Sequence, residues 1–360
     1  VRTLHKGDPI GEKKIILTTG TVAPQHVTHG SPFTTGAVAF TNAPTVWTGT
    51  VWPKTVAFGN GRSWWANIED DEERYWGSKS GSFYDMDSSS TLDDYGFDRT
   101  ADRKGAIEWI VNAKEITFGT ENGVFIVTSS GGVITPTDIQ VNKESSKGSK
   151  EVQGMDVGQS VLYLSPDGRK LREFKYSFNN NGYISEDLTF LSEDITEGDV
   201  LTSLAYAEDP ESILWMGTEE GNFLGNTRDF TTNIQGWHKH SCEWDIVDMC
   251  SMKVDGTNQL WALIDNGSGL DVVRMGDQYL DNYDTQTITS GIATTSIGPY
   301  THLADEEVHV LTDGANDGNI TLNSAGTGTT ATAGLEFVVG KDYPDAFIEK
   351  LLAGKFLMKV

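Results

Sequence analysis

Apolar and polar positions along this chain fall into short runs broken by turn residues. Residues 116–127 (ITFGTENGVFIV) read as a strand, a tight turn and a second strand, and residues 213–224 (ILWMGTEEGNFL) are nearly the same hairpin. Residues 161–171 (VLYLSPDGRKL) and 260–273 (LWALIDNGSGLDVV) are looser copies. Runs rich in Val, Ile, Phe and Trp, broken by Glu-Asn-Gly, Pro-Asp-Gly, Glu-Glu-Gly or Asp-Asn-Gly, predict hairpins whose turn residues tolerate positive φ. The turn glycines Gly123, Gly168, Gly221 and Gly267 stand 45, 53 and 46 positions apart. One hairpin cannot bury its own apolar face. A recurring unit of about 40 to 50 residues is the period of a propeller, where four-stranded blades pack sheet against sheet. The expected fold class is therefore all-β: a β-propeller with five recognisable blades and room for a sixth, plus a small additional β domain. A stack of unrelated hairpins is the alternative.

Along the chain this gives an N-terminal β segment over 1–45, the propeller over 46–290 and a small C-terminal β domain over 291–360. In the first blade, strands at 63–68 and 74–78 are joined by an acidic loop formed by Glu69, Asp70, Asp71, Glu72 and Glu73. Residues 84–98 read as a connection, and 106–110 open the second blade. Blade three reaches 187–189, blade four runs from Leu204 to His240, and blade five from Ile246 to about Tyr283. Residues 345–352 (DAFIEKLL) carry apolar positions near a period of 3.6, which predicts a short terminal helix.

Charge narrows the classes of function. The formal net charge is −25, from 52 acidic and 27 basic residues, which argues against a surface that neutralises phosphates. It is compatible with a channel through which DNA slides, since attraction would hold the duplex in place. Solubility alone is an equal explanation. Two cysteines, Cys242 and Cys250, are too few for a disulfide framework. No apolar run approaches the roughly 18 residues that cross a bilayer, and the first residues lack a secretory h-region, so neither a membrane span nor a signal peptide is expected.

Candidate chemistry is sparse. His238, His240 and Cys242 alternate along one strand and so share a face, and with Cys250 they would make four zinc-type ligands. Their spacing matches no finger or knuckle, and histidines facing solvent or packing beside Trp237 and Trp244 are the simpler reading. The run 69–73 lacks the glycine-bearing turn of a calcium loop, as do Asp85 with Asp87 and Asp93 with Asp94. A solvated loop is the plain reading of 69–73; a channel- or partner-facing loop is the functional one. No Ser/His/Asp arrangement, Gly-x-Ser-x-Gly motif or repeated Asp-box turn stands out, and no catalytic residue, cofactor or metal is assigned. The ten tryptophans include Trp65, Trp215 and Trp261 at equivalent blade positions, which predicts core packing over sugar stacking.

An ordered series of short motifs spans about 290 residues. It begins with Trp52-Pro53, Val56, Phe58 and Arg62, then 76–78 (WGS) with Gly81 and Tyr84, and 107–109 (IEW). It continues through 119–123 (GTENG) with 134–136 (ITP), 168–173 (GRKLRE), 187–189 (DLT), Trp215 and 237–240 (WHKH). Beyond the predicted propeller come Gly298, His302-Leu303, 308–314 (VHVLTDG), 320–322 (ITL) and 334–337 (GLEF). In that order these motifs resemble the tail nozzle, or tail tubular protein B, family of short-tailed bacteriophages. The resemblance implies a structural virion protein of the phage tail, made in the host cytoplasm. It would form a homo-oligomeric ring, by analogy a homohexamer, around the DNA ejection channel. Its neighbours would be a tail adaptor ring and tail fibres or spikes, with double-stranded DNA in transient passage. No catalytic residue is implied. The chain is shorter than the family's full subunit, which puts platform and distal tip domains in doubt, and the 69–73 run is unusually acidic. A carbohydrate-binding or polysaccharide-degrading propeller is the alternative from another class.

Overall fold

A computed structural model describes residues 3–6, 14–28, 34–101, 104–158, 160–229, 234–240, 244–254, 256–275, 280–342, 347–351 and 355–359. Among these the chain is all-β, built from small antiparallel sheets, with two short 3-10 turns and no α-helix. It divides into two compact units. The first holds residues 1–206, 214–220 and 248–250, and the second holds 207–213, 221–247 and 251–360.

The first unit contains four successive meanders of four antiparallel strands. Sheet I comprises Thr3–Lys6, Lys14–Thr18, Gln25–Thr28 and Thr34–Ala37, and sheet II comprises Thr55–Gly59, Arg62–Ile68, Asp71–Gly77 and Phe97–Thr100. Sheet III comprises Ile107–Asn112, Ile116–Thr120, Gly123–Thr128 and Gln140–Ser145, and sheet IV comprises Met155–Val157, Ser160–Leu164, Leu171–Ser177 and Gly182–Asp187.

Strand side chains alternate between faces, and here both faces are apolar. In sheet II, Val56 pairs with Trp65 and Trp65 with Trp76; these join Ile16, Val38, Trp47 and Met86 in a core shared with sheet I. On the opposite face Trp64, Ala66, Tyr75 and Phe97 pack against Ile110, Ile116, Phe118, Phe125 and Val127 of sheet III. The other face of sheet III places Trp109, Val111, Val124 and Ile126 against Val161, Tyr163 and Phe174 of sheet IV. Each sheet therefore supplies the cover for the next. Fully burying an indole removes roughly 200 Å² from water, on the order of 5 kcal/mol as an upper bound. Trp64, Trp65, Trp76 and Trp109 are all at or below 1% exposure, so these interfaces dominate the unit's stability.

Glycine matters where an indole crosses the backbone. Gly119 lies directly opposite Trp109, and a Cβ there would stand 1.9 Å from the Trp109 ring. The turn glycines Gly123, Gly168, Gly221 and Gly267 have φ of +154°, +69°, +80° and +77°. Gly123 opens the third strand of sheet III, and Gly168, Gly221 and Gly267 each fall in the turn between two consecutive strands. The recurrence read from the sequence is thus one hairpin position met four times.

In the second unit Phe223–Asp229, Ile234–His240, Phe347–Leu351 and Lys355–Lys359 form consecutive antiparallel pairs. Phe347–Leu351 corrects the terminal helix expected over 345–352, of which residues 345, 346 and 352 lie outside the described set. A run as short as FIEKL fits either period, and the edge of Ile234–His240 supplies partners for its backbone groups. Thr257–Asp265 and Leu270–Arg274 form a hairpin. Leu280–Thr287 joins Glu336–Asp342, Glu307–Thr312 and Ala315–Thr321 in a C-terminal sheet. Its core of Ile297, Tyr300, Leu303, Val308, Val310, Leu322, Phe337 and Val339 lies on one face.

Candidate functional site

The acidic run at 69–73 is split between a turn and a strand. Asn67 takes φ +61°, the register shifts between Ala66 and Ile68, and Ile68 pairs with Asp71. Only Glu69 and Asp70 remain as the turn, both exposed. Asp71, Glu72 and Glu73 open the strand Asp71–Gly77, which corrects the expectation of a five-residue loop. Strand alternation sends their carboxylates apart. Glu72 Oε1 lies 3.6 Å from Lys54 Nζ, while Glu73 Oε1 accepts the Gly105 N–H at 2.8 Å. The turn exposes two carboxylates, Glu69 and Asp70; of the three strand residues Glu72 is also exposed, while Asp71 and Glu73 are half-buried.

The residues 85–94 that resembled weak calcium patterns serve the connection after sheet II's third strand. Asp85 Oδ1 accepts from Asn42 Nδ2 at 2.9 Å and from the Asp87 N–H at 3.1 Å. Asp87 Oδ1 accepts the Ser89 N–H at 3.0 Å, and Ser89 holds this carboxyl below its ordinary range through side-chain and backbone hydrogen bonds. Asp94 Oδ2 lies 3.8 Å from Lys79 Nζ. The connection is fastened by Arg62, which is 2% exposed. Its Nη1 donates to the Ser78 and Tyr95 carbonyls at 2.5 and 2.7 Å, and its Nη2 to the Asp93 carbonyl at 2.6 Å. Burial lowers the Arg62 pKa, and Asp94 partly opposes this. A planar guanidinium is the one side chain that offers a rigid fork of donors to several carbonyls at once.

His238 and His240 do share a face, as the sequence predicts. His238 Nδ1 and His240 Nε2 are 2.6 Å apart, so one ring donates and the other accepts. Thr227 Oγ1 lies 3.1 Å from His238 Nε2, and His240 stacks on Phe223 with ring centroids 4.8 Å apart. Gly225 sits opposite His238, where a Cβ would meet the imidazole at 1.9 Å. Burial pushes both imidazoles down to about 4, and His240 adds to the effect on His238. Cys242 lies outside the described residues. Cys250 is half-buried, and its thiol is raised by burial and then by Asp248. Among the described residues no three His, Cys, Asp or Glu side chains converge in a metal-binding arrangement.

Of the aligned tryptophans, Trp65 and Trp215 are buried and Trp261 is half-buried. Glu173 is 2% exposed, accepts from Ser160 Oγ at 3.0 Å and lies 2.9 Å from Lys175 Nζ. The sequence reading missed the clamp made by Arg62, although one arginine entering an otherwise uncharged apolar strand marks it. It also missed the aromatic tip at Tyr176 and Phe178, signalled by a Phe inside an Asn-rich turn.

A scan against protein-family models finds no match to this sequence, and no curated protein matches it. No helix among the described residues is long and apolar enough to cross a membrane.

Proposed function

We propose that the chain is a structural virion component, a subunit of the tail nozzle ring that forms the DNA ejection channel of a short-tailed phage. The observation that supports this reading is that many residues of the resembling motifs are scaffold positions, although Gly81, Asn122, His302 and Asp313 are exposed. Val56, Trp76, Ser78, Trp109, Thr189 and Trp237 are all buried at or below 1% exposure, and Arg62 clamps a connection.

On this reading the serial meanders of sheets I to IV, with the later hairpins, are blades of a propeller, and the Gly-turn hairpins are its repeated wedges. Rigid subunits arranged as a homohexamer would hold a channel open, with contacts to an adaptor ring and to fibres or spikes. The exposed Glu69 and Asp70, within a net charge of −25, would discourage DNA from adhering as it passes. The protein would act without a reaction centre.

Light scattering of the purified full chain, alone and with the adaptor ring, tests this together with incubation on soluble polysaccharides. Closed oligomers and no hydrolysis are expected. A strictly monomeric protein that cleaves a glycan contradicts it.

A further inference from the structure

Two imidazoles in the second unit stand where the chain's last pair of strands is attached. His238 and His240 alternate onto one face of Ile234–His240, and a single hydrogen bridges the 2.6 Å between His238 Nδ1 and His240 Nε2. A doubly protonated pair has a hydrogen on both facing nitrogens, and like charges at that distance drive the rings apart. They have no room to part toward Phe223–Asp229. His238 lies over Gly225, where a Cβ would stand 1.9 Å from the ring, and His240 is stacked on Phe223 with planes 16° apart. That neighbour is paired along the whole strand, from Phe223 opposite His240 to Asp229 opposite Ile234. On the other edge Phe347–Leu351 is paired only from Gly236 to Lys239, with Ile348 opposite His238, and carries Lys355–Lys359 on its far side. The shorter attachment yields first.

We propose that the His238–His240 pair is an acid-sensitive latch: it holds Phe347–Leu351 and Lys355–Lys359 on the edge of Ile234–His240 and lets them go when both rings are protonated. On the pair's face Phe223–Asp229 brings Phe223, Gly225 and Thr227, none of them titratable, and then Asp229 opposite Ile234. Arg228 and Lys239 alternate to the other face. On the released side Lys350 pairs with Gly236 and Glu349 with Trp237, so in register the charged position nearest the pair is a lysine. Burial, with His240 adding to it at His238, lowers both imidazoles to about 4. Release returns the rings to water, and the open form then binds protons that the closed form does not. Because the closed-form values are lowered, attachment is complete above about pH 6.5 and weakens as pH falls. Release leaves the backbone N–H and C=O groups of this edge unpaired. The latch is independent of the ring reading, since it lies within one copy of the chain.

The test is hydrogen exchange of the full chain, read by mass spectrometry at pH 7.5 and 5.0 and corrected for the pH dependence of the intrinsic rates. At pH 5.0 most carboxylates are still ionised, so the histidines are the groups that change. Protection of peptides from 347–359 should fall at least about tenfold, the linkage expected when even one ring returns from about 4 to its ordinary value. Peptides from 223–229 and from sheet III should keep theirs. The fall should be absent in the double variant His238→Gln, His240→Gln. A second double variant, His238→Gln with His240→Phe, keeps a ring against Phe223 and should behave alike, which separates a lost latch from lost packing. His309→Gln in the C-terminal sheet should leave the fall unchanged. The proposal is overturned if the terminal strands are equally protected at both pH values, if 223–229 opens together with them, or if the fall survives in either double variant.

Discussion

The strand Arg62–Ile68 of sheet II is buried at every position, whereas Glu307–Thr312 of the C-terminal sheet alternates between exposed or half-buried and buried positions. Both are antiparallel strands of similar length, each with one register shift in its pairing. The difference is the number of apolar neighbours: sheet II has sheet III against one face and a core of Ile16, Val38, Trp47 and Met86 against the other, and the C-terminal sheet packs a core on one. A continuous apolar strand bounded by turns therefore reports a sandwiched layer, and a period of two reports an outer one.

Substitution can break that contrast most sharply in the stacked sheets. Trp64→Ala should cost about 3–5 kcal/mol in urea unfolding, because the cavity opens into a core shared by two sheets, while Val310→Ala should cost about 2 kcal/mol. Ala66→Glu, which places a carboxylate in that core, should abolish folding, and Glu307→Gln on the exposed face should change stability by less than about 0.5 kcal/mol. Equal tolerance of both glutamate changes would remove the layer argument.

Next in size is the clamp. Arg62→Leu leaves the carbonyls of Ser78, Asp93 and Tyr95 without this donor and should cost about 2–3 kcal/mol. Hydrogen exchange should then speed up through residues 85–95, with sheet III unaffected.

The second unit contributes a pH term. Both imidazoles of the His238–His240 pair have folded-state values lowered to about 4 from 6.5. The unfolded chain therefore binds more protons between these values, and stability is full above about pH 6.5 and falls as pH drops toward 4. For a coupled, partly exposed pair the loss should total about 1–3 kcal/mol. The urea midpoint measured from pH 7.5 to 4 checks it: the double variant His238→Gln, His240→Gln should flatten this part of the profile.

The smallest effect belongs to the acidic turn. Glu69→Lys with Asp70→Lys should leave the melting temperature within a degree or two, since an exposed turn contributes little to stability. In an ejection assay the same change should slow DNA passage if the turn faces the channel.

Much of this was legible in the sequence. The four turn glycines mark equivalent hairpin positions because positive φ leaves few other choices. Trp65 and Trp215 are buried as their strand positions imply. The carboxylates of 71–73 were not legible as strand residues, because charge usually signals a loop, and here the pairing of Asp71 with Ile68, the Ala101 N–H on the Glu73 carbonyl and the Gly105 N–H on the Glu73 carboxylate supply partners. The terminal helix failed for the converse reason: five residues cannot fix a period, and a sheet edge decided the conformation. The Arg62 clamp depends on carbonyls some 16 to 33 positions away, which no local pattern carries.

The most direct test of the account is a cryo-electron microscopy map of the full chain assembled with the adaptor ring. It should show closed rings of copies, each a propeller whose meanders radiate from one axis, with the Glu69–Asp70 turn toward the lumen. Single copies whose sheets do not radiate from a common axis would contradict the account.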